Sequence, residues 1–185
     1  MSITQRDCYA ATVQHIPHEG ILARAQFSPE QRRRLHQRYN LPVSADLDTY
    51  YGLFTPKAVK PNLQHPLPEE ALKPFYKDVD YPENAEINAD GVLRIPGEYY
   101  HFSRIISPLR NAETLTDIKR FPFQQYSQYS DAHLKKDVND AHNKGLVALG
   151  SVGHIFETAW QIRGMEPFLM DMIAAPANCE YILDR

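Results

Sequence analysis

The sequence predicts an α/β fold, and three features of the chain support this class. Residues 146–149 form a short apolar run between glycines, which is typical of a strand buried on both faces in a parallel sheet. A glycine turn follows, and apolar residues then recur at helical spacing from His154 onward. Two strand-like runs, 92–95 and 99–106, flank Pro96-Gly97 and predict a hairpin.

The composition is that of a folded domain, with 185 residues, 43% hydrophobic and 23% charged. A net charge of −3 lacks the basic balance of proteins that bind nucleic acids or anionic membranes, so we expect neither partner. The longest stretch without Asp, Glu, Lys or Arg, 145–156, is shorter than the ~20 residues that cross a bilayer. Arg6 and Asp7 lie where a secretion signal would be apolar. Together these features predict a cytoplasmic location, and they leave a homo-oligomer open.

The N-terminal elements begin with a strand candidate at 21–27, followed by a helix from Ser28 to about Tyr39. Ser28 and Gln31 have the spacing of a capping box, and Asn40 suits the left-handed conformation that ends helices. The arginines of this helix form either a solvated face or a clamp for a phosphate or carboxylate: Arg32, Arg33, Arg34 and Arg38.

The middle of the chain is rich in proline between positions 42 and 82, which favours extended segments, turns and short helices over 40–90. Thr114 and Asp117 have capping-box spacing and predict a helix that ends before Phe121. Ser130 is expected to cap a further helix, which Gly145 ends.

The last third of the chain predicts three helical segments after the glycine turn. The first segment begins at His154, with Phe156, Ala159, Trp160 and Arg163 on its apolar face, and Gly164 interrupts it. The second covers 167–174, and Pro176 begins the third. The third segment has no obvious C-cap, and few sheet strands precede it. We therefore expect this chain to be the N-terminal part of a longer α/β protein.

The run from Gly145 to Pro176 resembles the uroporphyrinogen decarboxylase (URO-D) superfamily, and within it the branch of corrinoid-dependent methyltransferases and decarboxylase-like proteins. That branch has a strand, a glycine turn, Phe-Glu, an aromatic residue, Leu/Ile-Arg-Gly, an apolar Met-Asp helix and a proline. Residues 107–122 also resemble the approach to the family's third strand. The resemblance covers about 105–185 well and is faint before residue 90.

The resemblance implies the N-terminal part of a (β/α)8 barrel, a fold that needs ~250 residues when complete. About three barrel strands are expected, near 21–27, 49–54 and 146–150. Residues 1–90 would form a proline-rich lead-in, and 91–185 the hairpin and the third βα unit. The active site would then lie at the C-terminal mouth of the barrel.

The reaction implied by the resemblance is methyl transfer from a small methylated donor to a corrinoid or thiol acceptor, with a corrinoid protein as a partner. Decarboxylation of uroporphyrinogen or an aromatic acid is the first alternative, and a non-catalytic fragment or binding module is the second. Residues 23–27 lack the family's Gly-Arg element, and 50–54 lack the aspartate that grips pyrroles, so porphyrinogen decarboxylation is disfavoured.

Cofactors are not expected within this segment. The zinc of the methyltransferase branch is held by one His and two Cys in the later half of the barrel, and Cys8 and Cys179 do not match those ligands. Zinc and a corrinoid are therefore implied only for a full-length protein.

The candidate catalytic residues are Glu157 and His154, at the start of the helix after the glycine turn. Glu157 is expected to act as a general acid or base, or else to cap the helix or pair with Arg163. His154 either bonds a ligand oxygen or caps the turn.

The candidate substrate-binding residues lie on the same helix, in the turn before it and in the hairpin. Trp160 either stacks on a flat ligand or belongs to the core, and Arg163 either grips a ligand carboxylate or ties the helix break to a neighbouring acid. Gly153 lies in the turn. Tyr99 and His101 lie in the hairpin, which either covers the barrel mouth or forms an aromatic edge cluster.

Overall fold

The computed structural model describes residues 3–97, 102–151 and 153–185. Helices of the described residues are α1 (Gln5–Val13), α2 (Pro29–Arg38), α3 (Leu47–Tyr50), α4 (Glu69–Leu72), α5 (Leu115–Lys119), α6 (Leu134–Asn143), α7 (Ile155–Arg163), α8 (Met165–Ala174) and α9 (Pro176–Leu183). Strands are β1 (Lys57–Val59), β2 (Asn62–Leu63), β3 (Glu86–Ile87), β4 (Leu93–Pro96), β5 (Ser103–Ile106), β6 (Tyr129–Ser130) and β7 (Ala148–Gly150). Short 3-10 turns cover Lys73–Tyr76 and Tyr126–Gln128.

The chain divides into two compact units. The first comprises Met1–Pro61 and Asp131–Ser151, and the second comprises Asn62–Ser130 and Val152–Arg185. Small sheets lie in both units, and none of those described closes into a barrel. The mixed α/β class predicted from the sequence is confirmed. Within the described residues, no helix has the length and apolar character needed to traverse a bilayer.

The sheet of the first unit is a parallel pair, β1 with β7, in which Lys57 is opposite Ala148. Helix α6 packs against both strands. The parallel strand predicted near 146–150 is therefore confirmed. Its expected burial on both faces is wrong, because Leu149 is 43% exposed and Gly150 is exposed as well.

The other two expected barrel strands are not strands. Residues 21–27 have no regular structure, and their backbone contributes Ala23 O as the acceptor of a single hydrogen bond from Phe54 N, 2.6 Å long. The segment near 49–54 begins within α3, because the Asp46 carboxylate accepts from the backbone N–H groups of Asp48 and Thr49. This cap favours a helical turn over an extended strand.

Helix α2 confirms the capping box predicted at its start. Ser28 Oγ accepts from Gln31 N at 3.1 Å, and Gln31 Oε1 accepts from Ser28 N at 2.8 Å. Asn40 has φ 50°, as expected for the residue that ends this helix. An equivalent box of Thr4 and Asp7 begins α1, a helix that the sequence analysis missed.

Replacement of Ser28 by alanine is expected to lower the free energy of unfolding by about 1 kcal/mol, because the N–H of Gln31 loses its acceptor. Urea unfolding followed by circular dichroism measures this change. Ser44→Ala, at an exposed turn position, is the control and is expected to leave stability unchanged. Equal stability of the two variants would contradict the capping role.

The second unit contains the main core. Strands β3, β4 and β5 form an antiparallel sheet in which Leu93 is opposite Ile106, which confirms the predicted hairpin. The short pair β2–β6 is also antiparallel. Helices α7, α8 and α9 pack against one another. The buried core cluster includes Val92, Leu109, Ile118, Phe121, Phe168 and Ile182.

Helices α5 and α6 match the predictions in part. The Thr114–Asp117 capping box is confirmed. Ser130 does not cap α6; it belongs to β6, and α6 begins after His133 without a side-chain cap. Gly145, with φ 68°, ends this helix as predicted.

Helices α7 and α8 meet at Gly164, the predicted break, whose φ is 100°. The predicted apolar face of α7 is confirmed in part, since Ala159 and Arg163 are buried and Trp160 is half-buried. Phe156 is 48% exposed, whereas Ile162 and the polar Gln161 are buried. Burial here follows the position of the neighbouring helices α8 and α9 and not the apolar pattern of α7 alone.

Candidate functional site

The start of α7 carries both candidate catalytic residues. His154 is the N-cap by backbone position, and its carbonyl oxygen accepts from Thr158 N at 2.8 Å. Its side chain makes no capping hydrogen bond and is exposed, so the imidazole role as a cap is wrong. Glu157 is exposed in the first turn, where the positive end of the helix dipole favours a carboxylate.

Two successive hydrogen bonds fix the Glu157 carboxylate. Gln161 Nε2 donates to Glu157 Oε1 at 2.9 Å, and Arg94 Nη2 donates to Gln161 Oε1 at 2.9 Å. Since Gln161 is buried, its amide is held in one orientation by both partners. The Glu157 carboxylate is thus positioned by Gln161, and not by Arg163 as one of the sequence alternatives had it.

An open hollow of about 510 Å³ lies beside these residues, lined by His154, Ile155, Phe156, Glu157 and Trp160. Trp160 is half-buried, and it packs against the main core while also lining the hollow. The two expected roles of Trp160 are therefore compatible in space. A carboxylate and an imidazole beside two aromatic rings form a site suited to a small, largely apolar ligand.

Arg163 has the structural role that the sequence left open. Its side chain is buried, its Nε donates to Asp171 Oδ2 at 2.7 Å, and its Nη1 donates to Leu109 O at 2.7 Å. Asp171 is the neighbouring acid of α8, so the pair ties the two helices together across Gly164. Because its Nε and Nη1 atoms are hydrogen-bonded to these partners, Arg163 is not positioned to bind a ligand carboxylate.

The remaining predicted site residues belong to the glycine turn and to the hairpin. Gly153 has φ 74°, and a Cβ added there would meet open space, so glycine is required by the backbone conformation and not by crowding. Tyr99 and His101 lie outside the described residues.

A second hollow, of about 490 Å³, belongs to the first unit and adjoins β7 at Leu149. Arg24 and Arg32 line it together with Asp48. Arg32 Nη2 lies 3.8 Å from Asp48 Oδ1, and its guanidinium carbon is 5.6 Å from the ring centre of Phe27. Two guanidinium groups at one hollow suit a carboxylate or phosphate.

The arginines of α2 divide between the two expected roles. Arg33 and Arg34 both bond Glu30 on the helix surface, and they lower the pKa of that carboxyl to about 2. Arg32 instead lines the hollow. The sequence did not single out Arg24, and it left Arg32 open between a solvated face and a clamp, because the basic run alone does not show which side chain faces a hollow.

Among the described residues, no group of three or more His, Cys, Asp or Glu side chains is placed to hold a metal ion. The zinc set implied by the family resemblance therefore has no counterpart in the described part of this chain, and we derive no step through zinc.

Comparison with known proteins gives no match to a family model, a curated protein or a solved structure.

Proposed function

We propose that this chain is the N-terminal part of an α/β barrel enzyme of the URO-D type, which transfers a methyl group from a small donor to a corrinoid or thiol acceptor. The observation that carries the barrel proposal is the parallel pair β1–β7 with α6 packed on both strands. This is the arrangement from which (β/α)8 barrels are repeated. Along the chain, β7 is followed by the glycine turn and α7, as the resemblance implies.

The residues around the α7 hollow have definable roles in methyl transfer. The aromatic side chains Phe156 and Trp160 bind the apolar part of the donor, and His154 hydrogen-bonds its heteroatom. Glu157, held by Gln161, is the general acid or base.

Transfer of the methyl group to a corrinoid substrate in the Co(I) state balances in bonds and in electrons. The bond between the methyl carbon and the donor heteroatom breaks, and its electron pair stays on the heteroatom, which takes the proton from Glu157. A Co(I) corrinoid, as the methyl acceptor, would supply the electron pair of the new carbon–cobalt bond and would be oxidised to Co(III). Solvent then returns a proton to the carboxylate.

Replacement of Glu157 by glutamine is expected to lower the rate of methyl transfer on the order of 100-fold, because an amide does not supply the proton. The measurement mixes the protein anaerobically with cob(I)alamin and a donor, methanol or dimethyl sulfide, and follows methylcobalamin by its absorbance. The exposed Glu166→Gln in α8 is the matched control, since it makes the same change outside the hollow. Unchanged turnover in Glu157→Gln would remove this residue from the mechanism.

Decarboxylation of an anionic substrate is the second candidate, favoured by Arg24 and Arg32 at the first-unit hollow. Its assay is release of carbon dioxide from uroporphyrinogen or an aromatic acid. Arg32→Gln should reduce that release, whereas Arg38→Gln, which does not line the hollow, should not. The absence of both activities would contradict both proposed reactions and favour the binding-module alternative.

A further inference from the structure

A small cavity of about 240 Å³ lies in the second unit, against a different face of α7 from the hollow described above. Its apolar wall includes Phe123, Ala159, Ile162 and Ile182, all buried members of the main core. The volume is about eight times the ~30 Å³ of one water molecule, which suits a single ring or a short branched chain.

The carboxyl group of Asp90 lines this cavity and is fixed by a rigid turn. Asn88 Oδ1 accepts from the N–H groups of Asp90, at 3.1 Å, and Val92, at 2.8 Å. Gly91 has φ 78°, and a Cβ added there would lie 2.6 Å from Phe121 Cζ, so the turn tolerates no other residue without strain. The position of Asp90 is therefore determined by the backbone around it.

Asp90 makes no side-chain hydrogen bond and no ion pair among the residues that the structure describes. Burial raises the pKa of this carboxyl, and the charge of Arg94 opposes the shift only in part. Burial, and to a smaller extent the nearby Asp90 charge, raises the pKa of the Tyr129 phenol. The half-buried Asp90 carboxylate therefore has no counter-charge in direct contact.

Gln124 also lines the cavity. Its Nε2 donates to His65 O at 3.2 Å. Its Oε1 has no hydrogen-bond donor in the described part of the chain, but this atom is shielded from solvent and therefore does not face the cavity.

Arg185 is the one cation that lines the cavity within the described residues. Its guanidinium carbon lies 4.6 Å from the ring centre of Tyr181, and the residue is exposed. Its charge is thus directed to an aromatic face and to solvent.

We propose that this cavity binds a small organic cation, an ammonium or amidinium head on an apolar body, with Asp90 as the counter-charge. The apolar wall takes the body of the ligand, and the carboxylate accepts the N–H groups of its head. This site does not depend on the function proposed above, because none of its polar groups belongs to the Glu157 hollow.

The test is a titration of ¹⁵N-labelled protein with benzamidine, followed by the amide signals of Asp90, Gly91, Thr158 and Ala159. We expect these signals to shift, and benzamide, a neutral molecule of the same shape, to bind on the order of tenfold more weakly. Equal affinity for benzamide, or shifts confined to residues away from the cavity, would overturn the proposal.

Asp90→Asn provides the second arm of the test. The variant is expected to stay folded, because the carboxyl makes no described hydrogen bond, and to bind benzamidine about tenfold more weakly. Asp80→Asn, an exposed aspartate of the same unit, is the matched control and should bind as the unchanged protein does. A folded Asp90→Asn with full benzamidine affinity would exclude Asp90 as the counter-charge.

Discussion

Replacement of Arg163 by alanine is expected to lower the free energy of unfolding by about 3–5 kcal/mol. The guanidinium is buried between α7 and α8, and its loss leaves the Asp171 carboxylate buried without its partner. The carbonyl of Leu109 loses a donor in the same change. Urea unfolding measures the difference in free energy.

The exposed pair of Arg120 with Asp117, 3.0 Å apart, supplies the matched control. Arg120→Ala should cost less than about 1 kcal/mol, because water solvates both charges. The double variant Arg163→Met/Asp171→Leu is expected to regain much of the stability, since no isolated charge is then buried. An Arg163→Ala protein as stable as Arg120→Ala would show that the pair does not tie the helices together.

Phe168→Ala is expected to have an effect of similar size, about 3–5 kcal/mol of unfolding free energy. Phe168 is 0% exposed, and its ring lies 5.8 Å from that of Phe156 in an edge-to-face arrangement. Truncation leaves a cavity that α8 and α9 cannot close without moving. Denaturant unfolding again gives the measurement.

Leu169→Ala is the neighbouring control on the same helix, at a position that is 45% exposed. Its cost should stay below about 1 kcal/mol, because little apolar area returns to water. If the two alanine variants were equally stable, Phe168 would not be the centre of this core.

Sequence patterns predicted the helix boundaries best where the signal is local. Ser28 and Thr114 cap their helices as expected, and Gly164 breaks the chain of helices where predicted. Each of these signals depends on a side chain and a backbone group only three or four residues away, or on the backbone freedom of one glycine. The missed box of Thr4 and Asp7 carries the same kind of signal.

The candidate site was predicted in its position but not in its contacts. Glu157 and Trp160 line one hollow, as expected from their spacing on one helix. The link from Glu157 through Gln161 to Arg94 joins residues far apart in sequence, and no local pattern reports it. The same holds for the Asp90 cavity, to which four separate segments of the chain contribute.

The sequence by itself determined the α/β class, the ends of α2 and the break between α7 and α8. The tertiary structure alone decided that the polar Gln161 of α7 is buried and that Arg163 pairs with Asp171. The physical reason is the distance along the sequence between the interacting groups. Caps and turns are set by neighbouring backbone groups. Burial and ion pairing are set by the distant segments that the fold brings into contact.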